Sequence, residues 1–134
     1  MANAKANGWD ASIKLLYPTD EGTFFTLAAL AAGEPYDVVA NVEIGENLNE
    51  AVDEHILRVS IVNLTTATQV AFVEVQEDLK PENNTKRRAE LRAKFPPIPN
   101  LTSGDVLQAV ASYKVVAGVN FDLSTAQSET FAAE

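Results

Sequence analysis

The chain has one histidine, His55, and any serine-histidine-carboxylate arrangement would have to use it. Such an arrangement also needs a serine on a sharp turn that exposes its oxygen as a nucleophile. None of the serines lies in that pattern, and the absence of cysteine removes thiolate nucleophiles and thiolate metal sites. We therefore interpret His55 as a polar residue at a loop-to-strand junction. The chain is predicted to be non-enzymatic, with no catalytic residue and no cofactor.

Acidic residues are concentrated between positions 34 and 54, where seven acids occur without a lysine or arginine. Their oxygens are numerous enough for calcium, and a pair of them could serve glycoside hydrolysis. The spacing, however, lacks the Asp-x-Asp-x-Asp-Gly order that folds ligands around one ion. Acids in an exposed loop also lack the surroundings that make a general acid near pH 7. The sequence therefore predicts a solvated acidic loop over residues 45–53 and no metal site.

Basic residues show the opposite bias, because residues 80–94 hold six of the ten lysines and arginines. Patches of opposite sign on one chain permit a head-to-tail contact between copies, although both patches could equally be solvated faces. On a strand, Arg88 and Arg92 would point outward, so reversing their charge is expected to spare the core. The candidate interaction surface predicted from this charge split consists of Glu43, Glu46, Glu50, Asp53, Glu54, Arg88, Arg92 and Lys94.

Aromatic residues suggest a second type of site. Trp9 beside Tyr17 and Tyr36 could form a platform on which the apolar side of a pyranose stacks. The alternative is that Trp9 packs in the core or at an edge. A small module that binds a carbohydrate or another neutral ligand therefore stands as the alternative function.

Length and charge limit the classes of function. The 134 residues suit one domain over residues 1–134, with residues 1–10 as a polar N-terminal segment. A formal net charge of −9 argues against nucleic acid and membrane surfaces as partners. Residues 1–10 lack the features of a signal peptide, and the longest apolar run, residues 27–32, is too short to span a bilayer. We expect a cytoplasmic protein, or an extracellular one if a leader was removed.

Alternation of apolar and polar residues predicts the elements that position these groups. It is clear in residues 11–17, with Ile13 and Leu15 on one face, in residues 36–44, and around Leu57 and Val73. Residues 23–32 are apolar without alternation and fit either a buried strand or a helical turn. A last strand is expected over residues 127–131, after a connection over residues 118–125. The longest pattern, in residues 106–115, predicts a buried face made of Leu107, Ala109, Ala111, Tyr113 and Val115.

Residues 86–95 have the composition of a helix but the pattern of a strand. Four apolar residues alternate there with four charged ones, which gives one solvated face only if the segment is extended. The apolar members are Ala89, Leu91, Ala93 and Phe95. Seven or eight short strands separated by turn signals predict an all-β, antiparallel two-sheet Greek-key sandwich.

The last 45 or so residues carry a specific order of features. The charged alternating strand is followed by a proline-containing connection, Leu101, the turn at Gly104 and Asp105, the strand to Val115 and an end strand near Ser124. This order resembles the closing half of fibronectin type III and other immunoglobulin-like domains. Such domains often place a tyrosine after the turn, and Leu107 stands there in this chain. The resemblance implies an immunoglobulin-like sandwich used for adhesion, ligand display or assembly.

The predicted function is a non-enzymatic, immunoglobulin-like structural or protein-interaction module. Its partner is expected to be another copy of the chain or another protein, which includes a self-assembling subunit of a larger complex and a homo-oligomer.

Overall fold

A computed structural model describes residues 10–134 as nine β-strands and one helical turn. Residues 1–9, which include Trp9 and most of the predicted polar N-terminal segment, lie outside the described residues. The elements are β1 (Ala11–Asp20), β2 (Ala29–Leu30), β3 (Tyr36–Ile44), α1 (Glu46–Asn49), β4 (Glu54–Asn63), β5 (Thr68–Asp78), β6 (Arg87–Phe95), β7 (Val106–Ala117), β8 (Asn120–Gln127) and β9 (Phe131–Ala133).

The strands form two sheets that pack face to face. The smaller sheet has the order β1-β3-β6, and both of its pairings are antiparallel. The larger sheet has the order β5-β4-β7, with β8 and β9 pairing in turn along the remaining edge of β7. The short strand β2 then adds to β9 in the parallel direction. This arrangement confirms the predicted all-β two-sheet sandwich, with nine strands among residues 10–134 rather than seven or eight.

The core lies between the inner faces of the two sheets, where alternating side chains of each strand meet. The predicted inner face of β7 is confirmed, because all five of its named residues are at most 2% exposed. In the same sheet, Leu57, Val59 and Ile61 of the neighbouring β4 are also fully buried. Val38, Ala40 and Val42 of β3 in the smaller sheet are at most 3% exposed, and all these side chains belong to one continuous apolar cluster that joins the two sheets.

The strand over residues 86–95 is confirmed as β6. Leu91, Ala93 and Phe95 are buried, while Arg88 and Lys94 are exposed. Nine consecutive pairings with β3 replace the hydrogen bonds that a helix would have made. Tertiary pairing has overridden the helical preference of this composition.

In β1 the prediction that Ile13 and Leu15 share one face is wrong. The register with β3 shifts between Ile13 and Leu15, because Lys14 is an extra residue in a bulge. A one-residue shift reverses every later side chain, so Leu15 is 52% exposed and Leu16 is buried.

Residues 23–32 are neither a continuous strand nor a helical turn. Only Ala29 and Leu30 form a strand, and the preceding segment folds back along the end of β1, with the Leu27 amide donating to the Pro18 carbonyl at 2.9 Å. As a consequence Phe24 and Phe25 are exposed.

Two predicted loops also contain regular structure. Residues 45–53 include α1, which buries Leu48 and, just beyond it, Val52 under the sandwich. Residues 118–125 are mostly β8, because Gly118 with φ of 62° allows a tight turn out of β7. The prediction of one strand over residues 127–131 is wrong, because β8 ends at Gln127 and β9 begins only at Phe131.

Candidate functional site

Glu43, the first member of the predicted interaction surface, is paired within the chain. Its carboxylate accepts a hydrogen bond from Arg88 Nε at 2.8 Å, and the ammonium groups of Lys14 and Lys86 lie 3.4 and 3.9 Å away. The Arg88 hydrogen bond, followed by the two lysines, lowers the pKa of Glu43 below its ordinary value, against the opposing effect of burial. The acidic and basic runs of the sequence thus meet on neighbouring strands of one sheet.

The other acids of the sequence cluster have different surroundings in the folded chain. Glu46 lies in α1 and Glu50 caps its end, while Asp53 accepts a hydrogen bond from the Gly118 amide at the turn between β7 and β8. Glu54 instead accepts one from the side-chain amide of Gln76 at 2.9 Å. Within residues 10–134 no three histidine, aspartate or glutamate side chains are grouped so that they could hold a metal ion.

Arg92 does not point freely outward, contrary to the expectation for this strand. Its Nη1 lies 2.8 Å from Oδ2 of Asp37, a carboxylate that is only 1% exposed. Both residues belong to the outer side of the smaller sheet, but residues 21–25 lie over this part of the face. The Gly22 amide donates to Asp37 at 2.8 Å, and Arg92 donates to the Thr23 carbonyl at 2.9 Å. Reversing the charge of Arg92 would therefore place two carboxylates together under this loop.

Lys94 stays exposed, next to the Asp37 position on β3. The eight residues of the candidate interaction surface thus occupy several parts of the molecule rather than two opposed patches. Their role in association stays a prediction.

His55 lies in the core in a chain of hydrogen bonds that its sequence position did not indicate. Its Nδ1 lies 2.7 Å from the Tyr113 hydroxyl, and its Nε2 lies 2.7 Å from Oε1 of Glu77. Burial raises the pKa of the Tyr113 phenol above its ordinary value. Both ring nitrogens of His55 therefore have a hydrogen-bond partner, which is the arrangement of a structural histidine.

The predicted aromatic platform does not form as expected. Tyr36 is fully buried and stacks on Phe95 with ring centroids 5.0 Å apart. Trp9 lies outside the described residues, and Tyr17 is half-buried on the edge strand β1.

An exposed apolar surface, which the sequence pattern did not predict, lies on the larger sheet. Over residues 121–124 of β8 the usual alternation is inverted, because Asp122 and Ser124 point inward while Phe121 and Leu123 point outward. Asp122 and Ser124 accept hydrogen bonds from the Ala11 and Ile13 amides of β1, at 2.7 and 3.3 Å. These contacts close one side of the sandwich with polar groups and leave the apolar side chains of β8 in solvent.

We call the resulting surface the outer apolar face. Phe121 and Leu123 are 61% and 48% exposed, and Phe72 on β5 is 50% exposed. Cross-strand register places Phe121 beside Val116 and Leu123 beside Lys114, whose ammonium lies 4.7 Å from the Phe121 ring centroid. The members of the outer apolar face are Ile56, Phe72, Val110, Val116, Phe121 and Leu123.

No protein-family model and no curated protein matches the chain. Solved structures do share its fold. The C-terminal domain of wzt is 14% identical, with a TM-score of 0.56 over 92% of this chain and 73% of that one. The β-glucuronidase of Bacteroides uniformis is 10% identical, with a TM-score of 0.57 over 92% of this chain but only 14% of its own.

A third similar structure is BcpA, the major pilin subunit of Bacillus cereus, which is 12% identical with a TM-score of 0.50. The match covers 88% of this chain and 39% of the pilin chain. At these identities the likenesses show a β-sandwich fold and leave the ligand and partner open. Among the described residues, no helix has the length and apolar character needed to cross a membrane.

Proposed function

We propose that this chain is a non-catalytic, immunoglobulin-like interaction module that associates with a second copy of itself through the outer apolar face. The observation that carries the proposal is the inverted alternation of β8, which leaves Phe121 and Leu123 in solvent beside Val116. Exposed apolar side chains that cluster on one sheet face often mark a protein–protein interaction site.

The strand order supports the immunoglobulin-like part of the proposal. Strands β1, β3 and β6 occupy the positions of strands A, B and E, and β5-β4-β7-β8 follow the order C′-C-F-G. The similar structures support the description as a module, because this fold forms 14% of the glucuronidase chain and 39% of the pilin chain.

The size of the surface fits a weak, specific contact. Four strands spaced about 4.8 Å apart, with about eight residues of β8 at 3.3 Å each, make a face of about 19 by 26 Å. Two such faces would bury about 1,000 Å², the lower limit for a specific interface. We therefore expect a dimer with a dissociation constant in the micromolar range or weaker.

Charge distribution explains why two copies would meet here. The whole chain carries a formal charge of −9, so most of its surface repels a second copy. On the outer side of the larger sheet, Arg58 and Lys114 nearly balance three acids, which the register identifies as Glu54, Glu74 and Asp78. Arg58 is already paired with Glu74 at 2.8 Å. The outer apolar face is thus a surface on which self-repulsion is small.

Sedimentation velocity over a range of concentrations tests the proposal. The wild type should show concentration-dependent dimers, and Phe121→Ser combined with Leu123→Ser should weaken them at least tenfold. Leu64→Ser is the matched control, because Leu64 is 46% exposed in the turn between β4 and β5 and away from the face. A wild type that stays monomeric at about 1 mM would contradict the proposal.

The salt dependence of association distinguishes this apolar interface from the charged head-to-tail contact expected from the sequence. A contact between oppositely charged patches weakens as the Debye length falls from about 10 Å at 0.1 M to about 3 Å at 1 M salt. An apolar contact between like-charged chains should persist or strengthen over the same range.

A further inference from the structure

A second surface lies on the other sheet, at the open edge of β1. A groove of about 510 Å³ runs there between two walls. One wall comes from Phe24 and residues 26–28 and the other from residues 129–130, with the edge of β1 as the floor. The residues that matter for its chemistry are Tyr17, Phe24, Thr26, Leu27, Glu129 and Thr130.

The first wall is built rigidly around an ion pair. Asp37 and Arg92 hold the Gly22 amide and the Thr23 carbonyl, as described above, and the Arg92 guanidinium also lies 4.7 Å from the centroid of the Phe24 ring. The cation covers one face of that ring, and Phe24, which is 60% exposed, also lines the groove. Because a nearly buried ion pair contributes little net stability, we interpret this pair as a device that holds the exposed Phe24 ring in position.

The turn itself is fixed by further hydrogen bonds. Thr23 donates from its hydroxyl to the Asp20 carbonyl at 3.0 Å and accepts from the Phe25 amide at 3.2 Å. Gly22 has φ of 73°, a conformation that glycine adopts without strain. The position of Phe24 is therefore set before any ligand arrives, which lowers the entropic cost of binding.

The second wall is equally well anchored. Ser128, which is buried, accepts from the Ala109 amide at 3.0 Å and donates to the Glu129 carbonyl at 2.8 Å. This pair of bonds breaks the edge of the larger sheet between β8 and β9 and presents Glu129 and Thr130 to the groove.

The geometry points to a saccharide-binding groove: we infer that a neutral pyranose stacks on the free face of Phe24 while its hydroxyls bond to Thr26, Thr130 and Glu129. An aromatic ring takes the apolar side of a sugar, and hydroxyl and carboxylate groups take its rim. The volume lies within the range of small-molecule sites. Among residues 10–134, no lysine, arginine or histidine lines the groove, so an anionic ligand would meet Glu129 without a compensating charge from these residues.

Two-dimensional ¹H-¹⁵N NMR titration with methyl β-D-glucopyranoside and methyl β-D-galactopyranoside tests this inference. At least one glycoside should shift the amide signals of residues 16–17, 24–28 and 129–130, with a dissociation constant of about 1–10 mM. Phe24→Ala should weaken that binding at least tenfold. Phe25→Ala is the matched control and should bind as the wild type does, because Phe25 is 77% exposed and does not line the groove.

A second variant keeps the inference falsifiable if Phe24→Ala disturbs the loop. Glu129→Gln combined with Thr130→Val removes polar partners without touching the aromatic wall, and it should weaken binding at least threefold. The inference is overturned if neither glycoside shifts these signals at about 50 mM, or if the shifts survive in both groove variants. If N-acetyl-leucine amide shifts these signals and neither glycoside does, the groove binds an apolar peptide side chain instead of a saccharide. No member of the outer apolar face lines the groove, so the two proposals can fail separately.

Discussion

Arg92→Met is the substitution whose cost follows most directly from the structure. It leaves the 1% exposed carboxylate of Asp37 under the loop without its paired cation. At 2.8 Å and an effective dielectric constant of about 20, the lost attraction is about 6 kcal/mol. Relaxation of the loop recovers part of this lost attraction, and breaking a buried ion pair typically costs about 3–5 kcal/mol of stability. The variant should therefore lose a large share of a total stability of about 5–15 kcal/mol.

Urea unfolding at pH 7, followed by circular dichroism, measures the effect. Arg88→Met is the matched control, because Arg88 also pairs with a carboxylate at 2.8 Å but is 73% exposed and should cost at most about 1 kcal/mol. Combining Arg92→Met with Asp37→Asn should restore at least half of the loss, since no charge is then left without a partner. Equal stability of the Arg92 and Arg88 variants would refute the reasoning.

Three further substitutions have definite expectations. Ala109→Glu places a carboxylate in the core and should abolish the cooperative thermal transition, whereas a melting temperature near that of the wild type would reverse the assigned face of β7. His55→Gln breaks the hydrogen-bond chain to Tyr113 and should lower the free energy of unfolding in urea by about 1–3 kcal/mol, with self-association unchanged. A tenfold loss of association in the folded variant would assign His55 a functional role. Glu43→Gln should cost about 0.5–1 kcal/mol at pH 7. Because Arg88 lowers the folded-state pKa of Glu43, the cost should vanish as pH falls through that pKa, and a cost independent of pH would count against the pairing.

Strict alternation made most of the fold predictable. In β6 and β7 one face is continuously apolar, and burial of that face leaves a single register, so the pattern outweighs helix propensity. The bulge at Lys14 was not predictable, because an inserted residue in a strand changes no local composition signal. The segment over residues 23–32 was missed for a related reason: its course depends on the buried partner Asp37, which lies in another strand.

The candidate surfaces were less accessible to sequence reasoning. The charge runs were visible, but the pairing of β3 with β6 that neutralises Glu43 against Arg88 is a long-range fact. In β8 the apolar residues Phe121 and Leu123 do alternate with polar ones, and that signal was available. It predicts a strand, yet it cannot show that the polar side faces inward, because that depends on the amides of β1 that Asp122 and Ser124 bind.

A concentration series of ¹H-¹⁵N NMR spectra tests the central claim most directly, because it maps association residue by residue. Between about 20 μM and about 1 mM, the amide signals of β7 and β8 that surround Phe121 and Leu123 should shift or broaden together. Those of β6 around Arg88 should stay fixed. Spectra that are identical at both concentrations, or changes centred on Arg88 and Glu43, would contradict self-association through the outer apolar face.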